Sequence, residues 1–226
     1  FEVKKNRLQF STKHSPDEFE NEGVNSNQIE AEESFVQDMI SLTKSGIVEL
    51  PLIFHSKYPV VITGKPGEGK SVRMKQICSE IASNEDISET PIFLKAKHLA
   101  EKIYRYQNVI YVSDEDYDSF ARPISSAFIQ SNPDTEKFGL HEKSVLNHLI
   151  EIKSKFETGD GGIVLIVDAI DEIDDEHKIE DLLEWLEHYA QSFGGGYCRF
   201  VISTRPSHLH HVSEYFSEFS RLNMHF

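Results

Sequence analysis

The sequence predicts an α/β fold: a mostly parallel five-stranded sheet with helices on both faces, built as a three-layer sandwich. Two observations predict it. Short apolar runs such as Val60–Thr63 and Ile163–Val167 alternate with segments whose apolar residues recur at helical spacing. The runs also lack the polar alternation of a half-exposed strand, so both faces of the sheet are expected to be covered.

Residues 1–46 read as a polar lead-in. "STKHSPDEFENEGVNSNQ" has no period, and a short strand is expected within Val3–Phe10. Phe35, Met39 and Leu42 predict an amphipathic helix over 30–45 that stops at Gly46. The domain proper is expected over 47–226. It opens on "IVELPLIF", where Pro51 interrupts any regular element. Val60–Thr63, bounded by Pro59 and Gly64, is the first buried strand. Met74, Ile77, Cys78 and Ile81 make one stripe of a helix over Ser71–Ser83. "PIFLKA" is a second strand and runs into a helix over Lys97–Tyr106.

Residues 107–140 read as an irregular insertion with one short helix over Ser119–Gln130. Val145, Leu149, Ile152 and Phe156 mark the next helix. Ile163–Val167 is the most buried strand, and Ile179, Leu182, Leu183 and Leu186 give the helix after it. Phe200–Ser203 is a fourth strand. A helix over Ser207–Phe216 and a fifth strand within Arg221–Phe226 complete the pattern.

A length of 226 residues suits one well-filled domain with a few extra elements. The formal net charge of −15 argues against nucleic acid as a bulk electrostatic partner, because phosphate backbones are held by clustered Lys and Arg. Cys78 and Cys198 are two isolated cysteines, which reads as reduced thiols and not as a disulfide framework. No apolar run approaches the roughly 20 residues of a membrane span. No membrane partner is therefore expected, and a cytoplasmic location is assigned. The chain starts at Phe1, which suggests a segment of a longer protein.

The strongest local signal is "VVITGKPGEGKS". Gly64, Gly69, Lys70 and Ser71 match G-x-x-x-x-G-K-[ST], between a predicted buried strand and an amphipathic helix. The predicted nucleotide-binding loop is Gly64, Lys65, Pro66, Gly67, Glu68, Gly69, Lys70 and Ser71. Its glycines let backbone N–H groups wrap a polyphosphate at the helix N-terminus. Lys70 is suited to the β- and γ-phosphates, and the Ser71 hydroxyl to Mg²⁺. Pro66 stiffens the loop, and Lys65 and Glu68 are expected to face solvent.

A second element is needed: an acid at the end of a buried strand, to hold Mg²⁺. In "IVLIVDAIDEID" that acid is Asp168. Asp168 and Ser71 are thus the predicted metal ligands. The residue after Asp168 is Ala169, which cannot orient a water molecule. The next acids are Asp171 and Glu172. Asp174, Asp175 and Glu176 precede a helix and read as capping acids.

Asp168, the small Ala169, the apolar Ile170 and then Asp171-Glu172 resemble the NACHT pattern. The resemblance implies that the displaced acids handle the attacking water, with Asp171 as the main candidate and Glu172 in support. "RFVISTRP" resembles the sensor segment of NACHT and wider STAND proteins, which implies that Arg205 reads the γ-phosphate. "TPIFLKAKHLAEKI" resembles the second NACHT strand and its helix. The likeness spans about residues 50–226. It implies a P-loop NTPase core that binds ATP or ADP with Mg²⁺, hydrolyses ATP slowly, self-associates in the full-length protein and serves innate-immune or antiviral signalling.

Three other readings compete. A scaffold would hold ADP without turnover. An AAA+ machine expects an adjacent Asp-Glu and an Asn sensor, where this chain has Asp168-Ala169 and Arg205. A small-molecule phosphotransferase expects an Arg-rich lid. No N-K-x-D motif occurs, which argues against a G protein. His208, His210 and His211 read as an exposed helix start and not as metal ligands, since no spaced Cys or Asp accompanies them.

Overall fold

A computed structural model of the chain describes residues 9–10, 52–54, 56, 58–107, 117–159, 161–192, 196–216 and 219–223. Its strands are β1 (Gln9–Phe10), β2 (Val60–Thr63), β3 (Glu89–Lys95), β4 (Gly162–Asp168), β5 (Cys198–Thr204) and β6 (Ser220–Asn223). Its helices are α1 (Lys70–Ala82), α2 (Ala96–Gln107), α3 (Tyr117–Ser131), α4 (Glu142–Glu157), α5 (Glu176–Ser192) and α6 (Leu209–Tyr215). The lead-in helix expected over 30–45 and the segment 108–116 lie outside the described residues.

Strand order in the sheet is β1-β6-β2-β5-β4-β3. Four strands, β2, β5, β4 and β3, make a continuous parallel core. β6 joins β2 in parallel, and β1 pairs antiparallel with β6. The expected count of five is corrected to six by the two-residue β1, which falls inside the predicted Val3–Phe10 strand. Its place is set by pairing with β6, more than two hundred residues away in sequence, and no local pattern reveals that.

Both faces of the sheet are covered, for a reason visible in β4. All seven of its residues are buried. Val164 and Ile166 pack with Met74, Ile77 and Ile81 of α1, while Ile163, Leu165 and Val167 pack with residues of α2, α3 and α5. On α1, Lys70, Met74, Ile77 and Ile81 are buried at spacings of four, three and four, one helical stripe. Each fully buried aliphatic side chain stabilises by roughly 1.5–3 kcal/mol against exposure, so this alternation holds β4 in register.

The region expected to be irregular is mostly helical. α3 is a 15-residue helix that continues into a 3-10 turn at Pro133–Phe138. Its Phe120 stacks on Trp185 of α5 at 5.4 Å between ring centroids and meets Tyr189 at 4.9 Å. α3 is the short helix expected over Ser119–Gln130, extended by two residues at its start and one at its end.

The C-terminal end of α3 also covers the outer edge of β3. The Lys95 N–H donates to Ser131 Oγ at 3.0 Å, and Asn132 Nδ2 donates to the Phe93 carbonyl at 3.2 Å and the Phe128 carbonyl at 2.9 Å. Bare strand edges invite pairing with other chains, and these bonds occupy the edge of β3. Asn132→Ala is expected to lower stability by about 1–3 kcal/mol in urea unfolding, because it strips a strand-edge carbonyl of its donor. A loss below about 0.5 kcal/mol, within the range of ordinary surface substitutions, would mean that this contact does not hold the edge.

Candidate functional site

In a parallel sheet the C-terminal strand ends line up on one edge, where ligands of open α/β folds bind. Here β5 lies between β2 and β4. Thr63 at the end of β2 pairs with Thr204 at the end of β5, and Val167 of β4 pairs with Ile202. The loop after β2, the acid ending β4 and the arginine after β5 therefore converge on one edge.

The loop begins at the buried Gly64 and turns through Gly67 and Gly69, at φ 80° and 75°. Those left-handed dihedrals are accessible to glycine and strained for other residues. Gly69 caps α1 without any side-chain bond, and no acid occupies the first turn of the helix. The first turn of α1 thus supplies no acid of its own to the positive end of the helix dipole.

Lys70 is buried, and its Nζ donates to the Gly64 carbonyl at 2.7 Å and the Lys65 carbonyl at 3.2 Å. These bonds use two of three ammonium donors and fold the side chain back over its own loop. Lys65 and Pro66 are exposed. The Lys65 N–H donates to the Glu68 carboxylate, and the Glu68 N–H returns to the Lys65 carbonyl at 3.3 Å. Glu68 is half-buried in this turn, so it faces solvent less than the sequence suggested. Ser71 is exposed at the head of α1.

Asp168 is only 3% exposed. Its Oδ1 accepts from Ser203 Oγ on β5 at 2.7 Å, and the same Ser203 oxygen accepts the Ala169 N–H at 2.8 Å. One hydroxyl thereby ties the tips of β4 and β5 together and aims the carboxylate. Alternation puts Asp168 and Ser203 on the α1 face of the sheet, in line with Ile166 and Val201.

Ala169 is the only non-glycine among the described residues with a positive φ, at 64°. This left-handed residue reverses the chain into a single 3-10 turn over Ile170–Glu172. Side-chain bulk there is penalised, which explains a small residue after the strand-end acid. The turn carries Asp171 inward and leaves Glu172 exposed. The Asp171 side chain is 4% exposed, and its Oδ2 lies 2.6 Å from Arg205 Nε, with the Arg205 side chain 41% exposed. The Nε–H is not directed at that oxygen, so the contact is a charge pair without a well-formed hydrogen bond. Among the described residues, Oδ1 of Asp171 and Oγ1 of Thr204 are buried with no hydrogen-bond partner.

Sequence reasoning placed Asp171 and Arg205 in the site separately and missed their pairing. It also missed the Ser203 bridge, whose signal was a hydroxyl on the α1 face one residue before the strand end. Asp175 does cap α5, accepting the His177 N–H at 3.1 Å. The histidines need a correction: His210 is exposed, but His211 is buried beside Val212, because α6 turns that face onto the domain. Both cysteines are free, and burial pushes their thiols up.

Ser203→Ala is expected to cost about 1–3 kcal/mol in chemical unfolding, by stranding the Ala169 N–H and one Asp168 oxygen. Ala169→Gly is expected to be neutral or to stabilise by up to about 1 kcal/mol, since glycine accepts a positive φ without strain. A clear loss with Ala169→Gly would contradict the left-handed turn.

A family model described as "Nephrocystin 3, N-terminal" matches residues 55–205, about two thirds of the chain and the whole span from the phosphate-type loop to Arg205. No curated protein sequence matches. Among solved structures, the ORC1 protein of Aeropyrum pernix in complex with DNA is 17% identical with a TM-score of 0.39, over 73% of this chain and 39% of that one. Drosophila ORC bound to GC-rich DNA and Cdc6 is 11% identical with a TM-score of 0.46, over 100% of this chain and 37% of that one. Drosophila ORC bound to poly(dA/dT) DNA and Cdc6 is 12% identical with a TM-score of 0.47, over 88% and 31%. This chain spans about a third of the length of each solved chain it resembles. With its loop, strand-end acid and strand order in place, the chain belongs to the family of the Nephrocystin 3 N-terminal region, as a NACHT-like P-loop NTPase nucleotide-binding core.

Proposed function

We propose that this domain binds ATP or ADP with Mg²⁺, hydrolyses ATP slowly, and uses the bound nucleotide as a switch for self-association. The observation that carries the reading is the uncapped N-terminus of α1, free of acids and entered through the left-handed Gly69, with the Lys70 ammonium held over the loop. That set of donors suits a polyphosphate. Gly64, Lys65, Pro66, Gly67, Glu68, Gly69, Lys70 and Ser71 would form the cradle. Ser71 and Asp168 would hold the metal, whose bound chemistry is neutralisation of phosphate charge.

The remaining work belongs to the chain's own residues. Lys70 must leave the Gly64 and Lys65 carbonyls to meet phosphate oxygens. Arg205, at a strand tip between the loop and Asp168, is suited to the terminal phosphate. Asp171 and the exposed Glu172 are the acids proposed to orient water, with Ala169 in the usual place of a catalytic glutamate. By resemblance to NACHT proteins, the full-length protein would assemble in its triphosphate form and act in innate-immune or antiviral signalling, in the cytoplasm. The net charge of −15 supports a nucleotide over a bulk nucleic-acid partner for this segment. Among the described residues no helix is long and apolar enough to cross a membrane.

A second reading, a scaffold that holds ADP without turnover, is favoured by one observation: the Asp171–Arg205 pair engages a water-handling candidate and the phosphate sensor with each other. Phosphate release separates the two. Lys70→Ala is expected to lower release by about 100-fold or more, as loss of an electrostatic clamp on a transferring phosphoryl group does. Chelating Mg²⁺ is expected to abolish it. Wild-type release no higher than that of Lys70→Ala would leave the scaffold standing.

A further inference from the structure

We propose that Asp171 is a positioning residue that, by holding Arg205, sets the preference of the site between a nucleoside triphosphate and a diphosphate. The proposal rests on the nucleotide-site reading above and goes beyond it. Asp171 enters through the left-handed Ala169 and the 3-10 turn, which drive its side chain inward to 4% exposure. Arg205 arrives from β5 in an extended conformation, φ −83° and ψ 153°, as the residue before Pro206. The backbones of both residues are therefore constrained, and their charged groups meet at 2.6 Å.

The pair is incompletely satisfied. Among the described residues, Asp171 Oδ1 is buried without a partner, and the Arg205 Nε–H is misaligned with Oδ2. A contact of this kind holds the guanidinium without saturating it, so a stronger acceptor can take it over. A terminal phosphate is such an acceptor: it carries more charge than a carboxylate and accepts guanidinium bonds in a matching fork. A triphosphate must draw Arg205 away from Asp171 before gaining that contact. A diphosphate has no γ-phosphate to reach Arg205 and leaves the pair intact. The cost of separating the pair therefore falls on the triphosphate alone, and linkage turns it into a lower triphosphate-to-diphosphate affinity ratio. The same exchange frees the Asp171 carboxylate only when a γ-phosphate is present.

The test is calorimetric titration of Mg²⁺-AMP-PNP and Mg²⁺-ADP into the wild type, Asp171→Asn, Arg205→Ala and the double variant. Asp171→Asn is expected to raise the triphosphate-to-diphosphate affinity ratio about fivefold or more. In the Arg205→Ala background the same substitution is expected to change the ratio by no more than about twofold, because its effect runs through Arg205. An unchanged or lower ratio in Asp171→Asn overturns the proposal. So does an equal rise without Arg205, which would mark a general charge effect. Absence of any nucleotide binding by the wild type would instead refute the underlying site. Wild-type protein supplies a test that needs no folded variant. The arginine Nε resonance of Arg205 is expected to shift with Mg²⁺-AMP-PNP and to stay in place with Mg²⁺-ADP; equal shifts with both would overturn the proposal.

Discussion

The hydroxyl of Ser203 is the contact on which the site depends. It accepts the Ala169 N–H and donates to Asp168, so one buried group fixes the tip of β4 against the tip of β5. Three things follow from that bridge. The strand-end carboxylate is aimed along the α1 face of the sheet. The backbone at Ala169 is held in a left-handed turn that costs about 1–2 kcal/mol for a non-glycine residue. The 3-10 turn beyond it brings Asp171 to Arg205. Without the bridge, a buried aspartate would lose a partner and the turn would lose its anchor.

The loop at the other side of the edge leads into a helix whose first turn carries no acid. α1 starts without an acid or a side-chain cap, although a helix N-terminus ordinarily attracts one. The ammonium of Lys70 turns back on the carbonyls of Gly64 and Lys65. A lysine this buried requires acceptors, and the loop backbone supplies them. Lys70 held by loop carbonyls and Arg205 held by Asp171 without a well-formed hydrogen bond are alike: in the proposed reading, a phosphate would take each cation over from its local acceptors.

Much of this was legible from local pattern. The glycine loop, its flanking strand and helix, and Asp168 at the end of an apolar run all depend on residues a few positions apart. Element bounds moved by only one to a few residues for that reason; the β3 strand, for example, extends back to Glu89. What was not legible depends on residues far apart in sequence. β1 exists through pairing with β6. α3 was legible as a helix, but its role in covering β3 required the contact between Asn132 and Phe93. The Asp171–Arg205 pair needed both the strand order and the backbone angle at Ala169. A small residue after Asp168 was read as an absent catalytic group, while its physical role is to permit the turn.

The most direct test of the central claim is an amide NMR titration of the domain with Mg²⁺-ADP. The account predicts that the largest shifts fall on the amides of Gly67, Gly69, Lys70 and Ser71, with smaller changes at Asp168 and Ala169, and that Lys70→Ala removes them. Shifts scattered over the surface, or confined to residues away from the ends of β2, β4 and β5, would contradict a nucleotide site at this edge of the sheet.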